Sequence, residues 1–220
     1  MKTKSENLFE GFLTTNNLPF EKIEEDTTPR PDYRVFVDGS EIIFELKELA
    51  EDRNFGVVKD PTYPHIKSSS RTVGDHIRRR IESSKNQIQF GAKLGVPSIL
   101  LIYNNVDPVF QDFGTEPMDF TAAMYGEYTI LINRETRTAS GPFNGKGQML
   151  QEKKNTSFSA VGHLCDCGGR TTVTLYENVF AKVKVPYTQL PACFDVRRIE
   201  VSTSCSSAVG PVLLSSIDPK

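Results

Sequence analysis

The feature that most constrains the fold is a pair of short segments on either side of the dipeptide Asp38-Gly39. Asp-Gly between two runs of alternating apolar and polar residues is typical of a tight β-hairpin turn. Residues 31–47 are therefore predicted to form two antiparallel strands. Successive side chains of a strand point to opposite faces, so Glu45 and Lys47 of the second strand share one face.

Three polar side chains are predicted to meet at one end of this hairpin. Asp32 enters the first strand at the end that carries Glu45 and Lys47. Two carboxylates and a lysine brought together can hold a hard divalent cation and orient a water molecule beside it. Any half-buried strand alternates apolar and polar residues, however, and Glu45 with Lys47 could be a solvated ion pair. The order of the surrounding elements has to decide between the two interpretations.

The segments before the hairpin predict a helix and a strand. Residues 3–16 have an amphipathic pattern, and Thr3 followed by Glu6 has the spacing of a capping box. Residues 20–25 are predicted to be a strand with apolar anchors. A loop that contains two prolines then leads into the hairpin.

The segments after the hairpin predict a long helix and a central strand. Residues 72–90 carry apolar residues at helical spacing, and Thr72 with Asp75 gives a second capping box. Residues 96–103 are apolar on both faces, which is typical of a strand inside a covered sheet. The order helix, three strands, helix, strand favours an α/β fold with a mixed sheet.

The residues Pro31, Asp32, Glu45 and Lys47 match the pattern Pro-Asp, spacer, Glu-x-Lys. Together with the order of elements, this pattern resembles the PD-(D/E)XK nuclease superfamily, which has the restriction-endonuclease-like fold. The resemblance implies a nuclease-like core in residues 1–105 and a β-rich C-terminal extension, residues 106–220, packed on that core. Short pieces of the second half are similar to bacterial members that have such an extension: Met124-Tyr125-Gly126, Ser159-Ala160-Val161 and Tyr176-Glu177-Asn178.

The resemblance also implies a metal-dependent reaction. Asp32, Glu45 and the main-chain carbonyl of Leu46 would bind Mg²⁺ or Mn²⁺, since hard cations prefer oxygen ligands. Lys47 would orient the attacking water and stabilise the transition state. The expected activity is hydrolysis of phosphodiester bonds in DNA.

Two further residues become catalytic candidates through the same resemblance. In the superfamily a glutamate of the first helix often reaches the metal site. The predicted helix 3–16 has two, Glu6 and Glu10, and Glu6 is the better candidate. Glu6 could equally serve only its capping box. The helix after Glu-x-Lys often contributes a polar residue, sometimes a glutamine, and Gln87 fits that role best.

Basic residues on the helix 72–90 are candidates for the DNA backbone. Arg80, Lys85 and Arg78 flank the buried stripe, which places them at the edge of a cleft, and binding through them should weaken with salt. The alternative for each is a solvated helix face. The predicted loop 48–70, which could cover the site, has four more candidates: Arg53, Lys59, His65 and Lys67.

Composition limits the class of protein but not its activity. The chain has 220 residues, with 38% apolar and 25% charged, enough for one good core or a core with an appended subdomain. A net charge of −2 means that any nucleic-acid contact needs a local basic patch. The sequence contains no apolar core of signal-peptide length and no membrane span, so a cytoplasmic location is the simplest expectation.

The second half of the chain carries a weaker signal. Residues 119–125 are predicted to be a helix and 128–133 a strand, while 158–164 and 171–176 form a strand pair and 180–220 show little periodicity. Four cysteines and a histidine suggest zinc: Cys165, Cys167, Cys193, Cys205 and His163. Zinc sites of the knuckle type need two closely spaced pairs, and only Cys165-x-Cys167 qualifies, so reduced thiols are expected.

Two alternatives to a deoxyribonuclease stay open. One is a non-catalytic nucleic-acid- or protein-binding module that keeps the nuclease fold, and the presence of all three signature residues argues against it. The other is a nuclease that acts on RNA, with DNA favoured. Many members of the superfamily are dimers, so a homodimer is allowed, although nothing in the sequence requires one.

Overall fold

A computed structural model describes residues 2–24, 27–50, 58–59, 61–62, 67–68, 71–106, 113–202 and 213–217. In this part of the chain four helices flank one mixed β-sheet, which confirms the predicted α/β class. None of these helices is long and apolar enough to cross a bilayer.

The helices are α1 (Lys4–Thr15), α2 (Asp75–Ser83), α3 (Lys85–Lys93) and α4 (Pro117–Tyr125). The strands, in chain order, are β1 (Phe20–Lys22), β2 (Tyr33–Val37), β3 (Ser40–Ala50), β4 (Val58–Lys59), β5 (Lys67–Ser68), β6 (Ser98–Asn105), β7 (Tyr128–Thr129), β8 (Ile132–Asn133), β9 (Thr138–Ala139), β10 (Phe143–Asn144), β11 (Ala160–Cys167), β12 (Arg170–Glu177), β13 (Phe194–Ser202) and β14 (Leu213–Ile217).

The main sheet joins strands from both halves of the chain in the order β1-β2-β3-β6-β11-β12-β13-β14. β3 with β6, β6 with β11, and β12 with β13 are parallel pairs, and the remaining neighbours are antiparallel. Because β6 pairs directly with β11, residues before and after position 105 share one sheet.

The predicted hairpin is present as β2 and β3, joined by Asp38 and Gly39. Both turn residues have positive φ angles, 45° and 77°. This is the geometry of the two-residue turn that suits twisted antiparallel strands, and Asp-Gly adopts it readily. The register pairs Tyr33 with Phe44, which fixes where the strand that follows Asp32 lies against the strand that carries Glu45.

Each face of the sheet has its own core. On one face α1 buries Phe9 and Leu13 against side chains that include Phe44 of β3. On the other face α2, α3 and α4 bury a second cluster that includes Ile77 and Ile88. Burying one such side chain contributes about 1.5–3 kcal/mol. Since strand side chains alternate, Glu45 and Lys47 point to the face that carries α2 and α3.

The predicted long helix 72–90 is wrong in two respects. It is interrupted at Ser84, whose ψ angle of 4° leaves the helical range, so α2 and α3 are separate. The predicted second capping box is also absent, because α2 begins after Gly74, which has a φ of 76° and offers no side-chain cap. The first capping box, between Thr3 and Glu6, is confirmed.

The second half of the chain contains more strand than its pattern predicts. The strand pair joined by the turn at 168–169 is confirmed as β11 and β12. The predicted strand 128–133 is divided into two short strands, β7 and β8, which belong to two successive strand pairs of one hairpin. The segment 180–220 holds β13 and β14, which were not predicted; β13 pairs in parallel with β12 on one side and antiparallel with β14 on the other.

Candidate functional site

A cleft of about 410 Å³ opens where β2 begins and the N-terminus of α1 approaches β3. Asp32, Leu46 and Lys47 of the hairpin line it, and Glu6 of α1 lines it from the other side. The rest of the lining is mostly polar and consists of Lys2, Thr3, Ser5, Lys22 and Glu48. Glu45 lies directly behind this lining, in contact with Lys47.

Asp32 is held by the strand that carries the other site residues. Its main-chain amide donates to the Phe44 carbonyl at 3.1 Å, and its Oδ2 accepts from the Leu46 amide at 2.7 Å. The Leu46 amide thus finds its acceptor in the Asp32 side chain rather than in a strand carbonyl, and this hydrogen bond fixes the orientation of the carboxylate.

Glu45 is a buried carboxyl group with only 2% of its surface exposed. Its Oε1 lies 2.6 Å from Nζ of Lys47, whose side chain is 26% exposed. Burial, and then the negative charge of Asp32, raise the pKa of Glu45 to about 8. Within the described part of the chain no donor reaches the other oxygen, Oε2.

The carboxyl groups of Asp32 and Glu45 are close enough to interact directly, and each influences the ionisation of the other. Burial also raises the pKa of Asp32, while the Leu46 amide and the charge of Lys47 oppose that shift. Two adjacent carboxyl groups that resist ionisation together are stabilised as anions when a cation lies between them. The pair is therefore chemically suited to a hard cation.

A cation at this place would need ligands besides the two side chains. Among the described residues no group of three or more His, Cys, Asp and Glu side chains is arranged to hold a metal ion. The Leu46 N–H faces Asp32, and the N–H and C=O of one strand residue project from the same strand edge. The Leu46 carbonyl is thus directed to the same side, and water can supply further ligands, as Mg²⁺ prefers.

Glu6 both caps α1 and lines the cleft. Its Oε2 accepts from the Thr3 amide at 2.6 Å, which completes the capping box. Its Oε1 pairs with Nζ of Lys22 on β1. The negative charge of Glu6 contributes to the raised pKa of Asp32. Sequence analysis did not single out Lys22, which the structure places opposite Tyr33, the neighbour of Asp32.

The remaining catalytic candidate, Gln87, is half-buried on α3, which packs against β3 and β6. It is not part of the cleft lining. The structure therefore places Gln87 on a helix that packs on the same side of the sheet as Glu45, but outside the lining that contains Asp32 and Lys47.

The three basic candidates on α2 and α3 have different environments. Arg78 is turned inward and donates to the carbonyls of Val73, Ala122 and Gly147. Lys85 forms an ion pair with Glu82 at the helix surface. Arg80 is half-buried on α2.

Several other candidates lie where little can be described. Arg53, His65 and Cys205 are outside the described residues. Lys59 and Lys67 lie opposite one another in the small β4–β5 hairpin, so part of the predicted loop 48–70 is strand, and β3 itself continues to Ala50.

The cysteine region is not arranged as a zinc site within the described chain. The sulfur atoms of Cys165 and Cys167 are 2.8 Å apart on β11 and are not joined by a disulfide. Cys193, half-buried before β13, is not in a disulfide either.

No family model, curated protein or solved structure matches this chain. The site is therefore interpreted from its own chemistry. A buried carboxyl group beside a second carboxylate, with a lysine in reach of an open cleft, can bind a hard cation and place a positive charge next to a bound anion.

Proposed function

We propose that the protein is a Mg²⁺- or Mn²⁺-dependent nuclease with a restriction-endonuclease-like core, and that it hydrolyses phosphodiester bonds in DNA. One observation carries the proposal: the buried carboxyl group of Glu45 lies beside Asp32 and Lys47 at an open cleft. A purely structural ion pair would need only Glu45 and Lys47. The second carboxylate, that of Asp32, makes the ionisation of Glu45 less favourable, and a cation bound between the two would offset this repulsion.

The carboxylates of Asp32 and Glu45 and the carbonyl of Leu46 would hold the cation. When bound, Mg²⁺ or Mn²⁺ lowers the pKa of a coordinated water and neutralises charge on the scissile phosphate. Glu45 has to lose its proton for this, so binding releases a proton at neutral pH. The hydrogen bond from the Leu46 amide holds Asp32 in place throughout.

Lys47 supplies a positive charge beside the reacting phosphate. Its ammonium group is anchored by Glu45 at 2.6 Å and is partly exposed at the cleft. An ammonium group is a compact charge with three donors, so it can orient a water and stabilise a pentacovalent phosphate without bidentate geometry. Glu45 thus fixes both the cation and the lysine.

Contacts to the DNA backbone would come from lysines at the rim. Lys2 and Lys22 line the cleft, where they pair with Glu10 and Glu6. Phosphate groups of the DNA could replace those carboxylates as partners of the two ammonium groups. Binding through such ion pairs weakens with salt. Arg80 and Lys85 stay candidates for backbone contacts farther from the reaction, whereas Arg78 already donates to protein carbonyls.

A cleavage assay on plasmid DNA, linear duplex, single-stranded DNA and RNA tests the proposal, with Mg²⁺, Mn²⁺ or EDTA. We expect metal-dependent cleavage of DNA that Asp32→Asn abolishes. The matched control is Asp38→Asn at the opposite end of the hairpin, because Asn-Gly favours the same turn. This variant should cut at the parental rate.

The other outcomes separate the alternatives. Binding of nucleic acid without cutting in either metal would identify a non-catalytic module and refute the enzyme. Cleavage of RNA alone would leave the site intact but reassign its substrate. Equal cleavage by wild type and Asp32→Asn would remove this site from the reaction.

A further inference from the structure

The exposed large apolar side chains of the described chain are concentrated in one place. Six are exposed, and one of them, Leu94, lies alone after α3. The other five form a patch at the start of α4 and on the segment that follows it: Met118, Tyr128, Ile130, Leu131 and Ile132. A contiguous exposed apolar patch on a folded protein marks an interaction surface far more often than scattered single residues do.

Most of this patch lies on a projecting hairpin formed by residues 128–144, here called the arm. Its base is the β7–β10 pair and its tip is the β8–β9 pair. Between them the Ser140 amide donates to the Leu131 carbonyl at 2.8 Å, and the Leu131 amide donates to Ser140 Oγ at 2.9 Å.

Within the part of the chain that the structure describes, the arm has few contacts outside itself, and these are at its base, where β10 approaches β14. Neither of its strand pairs joins the main sheet in the described topology. Ile132 is 71% exposed and Tyr128 72% exposed. A two-stranded hairpin alone is marginally stable in water, and its open edges are templates for another strand. The arm therefore has the properties of an element that is completed by a partner.

A groove beside the base of the arm offers the complementary shape. It has a volume of about 530 Å³ and a largely apolar lining that includes Val73, Met118, Tyr125 and Tyr128. Two residues of the exposed patch, Met118 and Tyr128, belong to this groove. A molecule with an apolar arm and an apolar groove side by side is self-complementary, as a two-fold contact requires.

The sequence of the arm favours a second copy over a different partner. Residues 128–132 read Tyr-Thr-Ile-Leu-Ile, so large apolar residues lie symmetrically about Ile130. When two arms run antiparallel across a two-fold axis, Ile130 meets Ile130 and Tyr128 meets Ile132. The same alignment brings the basic tip, Arg134 and Arg137, toward the half-exposed Glu127 at the base of the other arm.

We propose that the arm is a dimerisation surface occupied by a second copy of this chain. The two arms pack antiparallel along residues 128–133, and the tip of each arm reaches the groove of the other copy. This closed contact buries all five residues of the patch and fills the groove of each copy. It is independent of the chemistry at Asp32 and Glu45.

Sedimentation velocity of the full chain over a wide range of concentration tests this directly. We expect a species of twice the 24.6 kDa chain mass. Ile130→Asp places two carboxylates against each other at the axis and should raise the dissociation constant by at least about 100-fold. The control is Leu94→Asp, a similarly exposed apolar residue outside the patch, which should leave the dimer unchanged.

A cross-linking experiment locates the axis without relying on a disruptive charge. Ile130→Cys should give a covalent dimer on mild oxidation, because a residue on a two-fold axis faces its own copy at disulfide distance. Leu94→Cys, with the same native thiols, should not. A monomeric wild type at every concentration, oligomers that grow beyond two chains, or an Ile130→Asp variant that stays dimeric would each refute the proposal.

Discussion

The Leu46 amide donates a 2.7 Å hydrogen bond to the Asp32 carboxylate. This bond joins the two strands of the hairpin just beyond the Tyr33–Phe44 pair, at the end opposite the turn. The first acidic residue of the candidate site is therefore oriented by the strand that carries the second. A slip of one residue in this hairpin would turn Glu45 and Lys47 to the opposite face of the sheet. The geometry of the site consequently depends on the turn at Asp38-Gly39 as much as on the site residues themselves.

Replacements of Asp32 should separate its charge from its hydrogen bond. Asp32→Asn keeps an acceptor for the Leu46 amide and removes the charge, so cleavage is lost while the fold is as stable as the wild type or slightly more. Asp32→Ala also removes the acceptor and should lower the free energy of unfolding by about 1–2 kcal/mol. Urea unfolding of both variants measures the difference; equal stability of the two would show that the hydrogen bond contributes nothing.

The raised pKa of Glu45 makes the stability of the metal-free protein fall with pH. The folded pKa of about 8 lies above the ordinary value of 4.5, so the folded state holds an extra proton between these two values. The associated stabilisation is complete below the ordinary value and is lost as pH rises through 8. Compared with Glu45→Gln, the wild type should lose about 3 kcal/mol between about pH 5.5 and 8.5.

Thermal or urea unfolding of both proteins in EDTA across this range checks the Glu45 prediction. The comparison between the two proteins matters because Asp119, with a pKa raised to about 6, titrates in the same window in both. A constant difference between wild type and Glu45→Gln would mean that Glu45 ionises at its ordinary pH.

Metal binding should reverse that loss. Both carboxyl groups have to be ionised to hold Mg²⁺, so the affinity for the ion should fall about tenfold for each pH unit below the pKa of Glu45. Mg²⁺ should therefore raise the melting temperature of the wild type more at alkaline than at acidic pH. Asp32→Asn and Glu45→Gln should show no such increase, whereas Asp38→Asn should behave as the wild type. An equal increase in all four proteins would place the ion elsewhere.

The hairpin and its site residues could be predicted because they depend on local rules. The turn at Asp38-Gly39 fixes a register, and alternation along β3 assigns Glu45 and Lys47 to one face. The capping box of Thr3 and Glu6 is equally local. The pair of Asp32 with Glu45 followed from these rules because only fourteen residues separate Asp32 from Leu46, its hydrogen-bond partner.

What sequence analysis missed depends on distant contacts. Arg78 and Arg79 are adjacent and chemically alike, and the distant carbonyls of Ala122 and Gly147 help to make the first an inward-facing residue. The strand β13 was missed as well, because its parallel pairing with β12 is made across the long connection 178–193 rather than a short turn. Lys22 was missed for the same reason, since its partner Glu6 belongs to another element.

Arg78 and Arg79 provide a matched pair for testing the inward contacts. Arg78→Ala removes three hydrogen bonds to main-chain carbonyls and should lower the free energy of unfolding by about 2–3 kcal/mol. Arg79→Ala removes a surface ion pair with Asp75 and should cost at most about 0.5 kcal/mol. Urea unfolding measures both values, and equal effects would contradict the structural role of Arg78.

Lys47 should be needed for catalysis but not for the fold. Lys47→Met keeps most of the side-chain volume and removes the charge, so the cleavage rate should fall by at least about 100-fold, as when one transition-state donor is lost. Without the ammonium group beside it the pKa of Glu45 should rise further, because the charge of Lys47 is one of the effects that lower it. More of Glu45 is then protonated at neutral pH, and the affinity for Mg²⁺ should fall as well.

The two consequences of Lys47→Met can be separated by pH. Raising the pH restores metal binding by ionising Glu45 again, which melting curves with and without Mg²⁺ would report, but it cannot restore the missing positive charge. Cleavage should therefore stay low at a pH where the ion is fully bound. Lys93→Met, at the exposed end of α3, is the control and should match the wild type in both measurements. Full recovery of cleavage at high pH would limit Lys47 to the ionisation of Glu45.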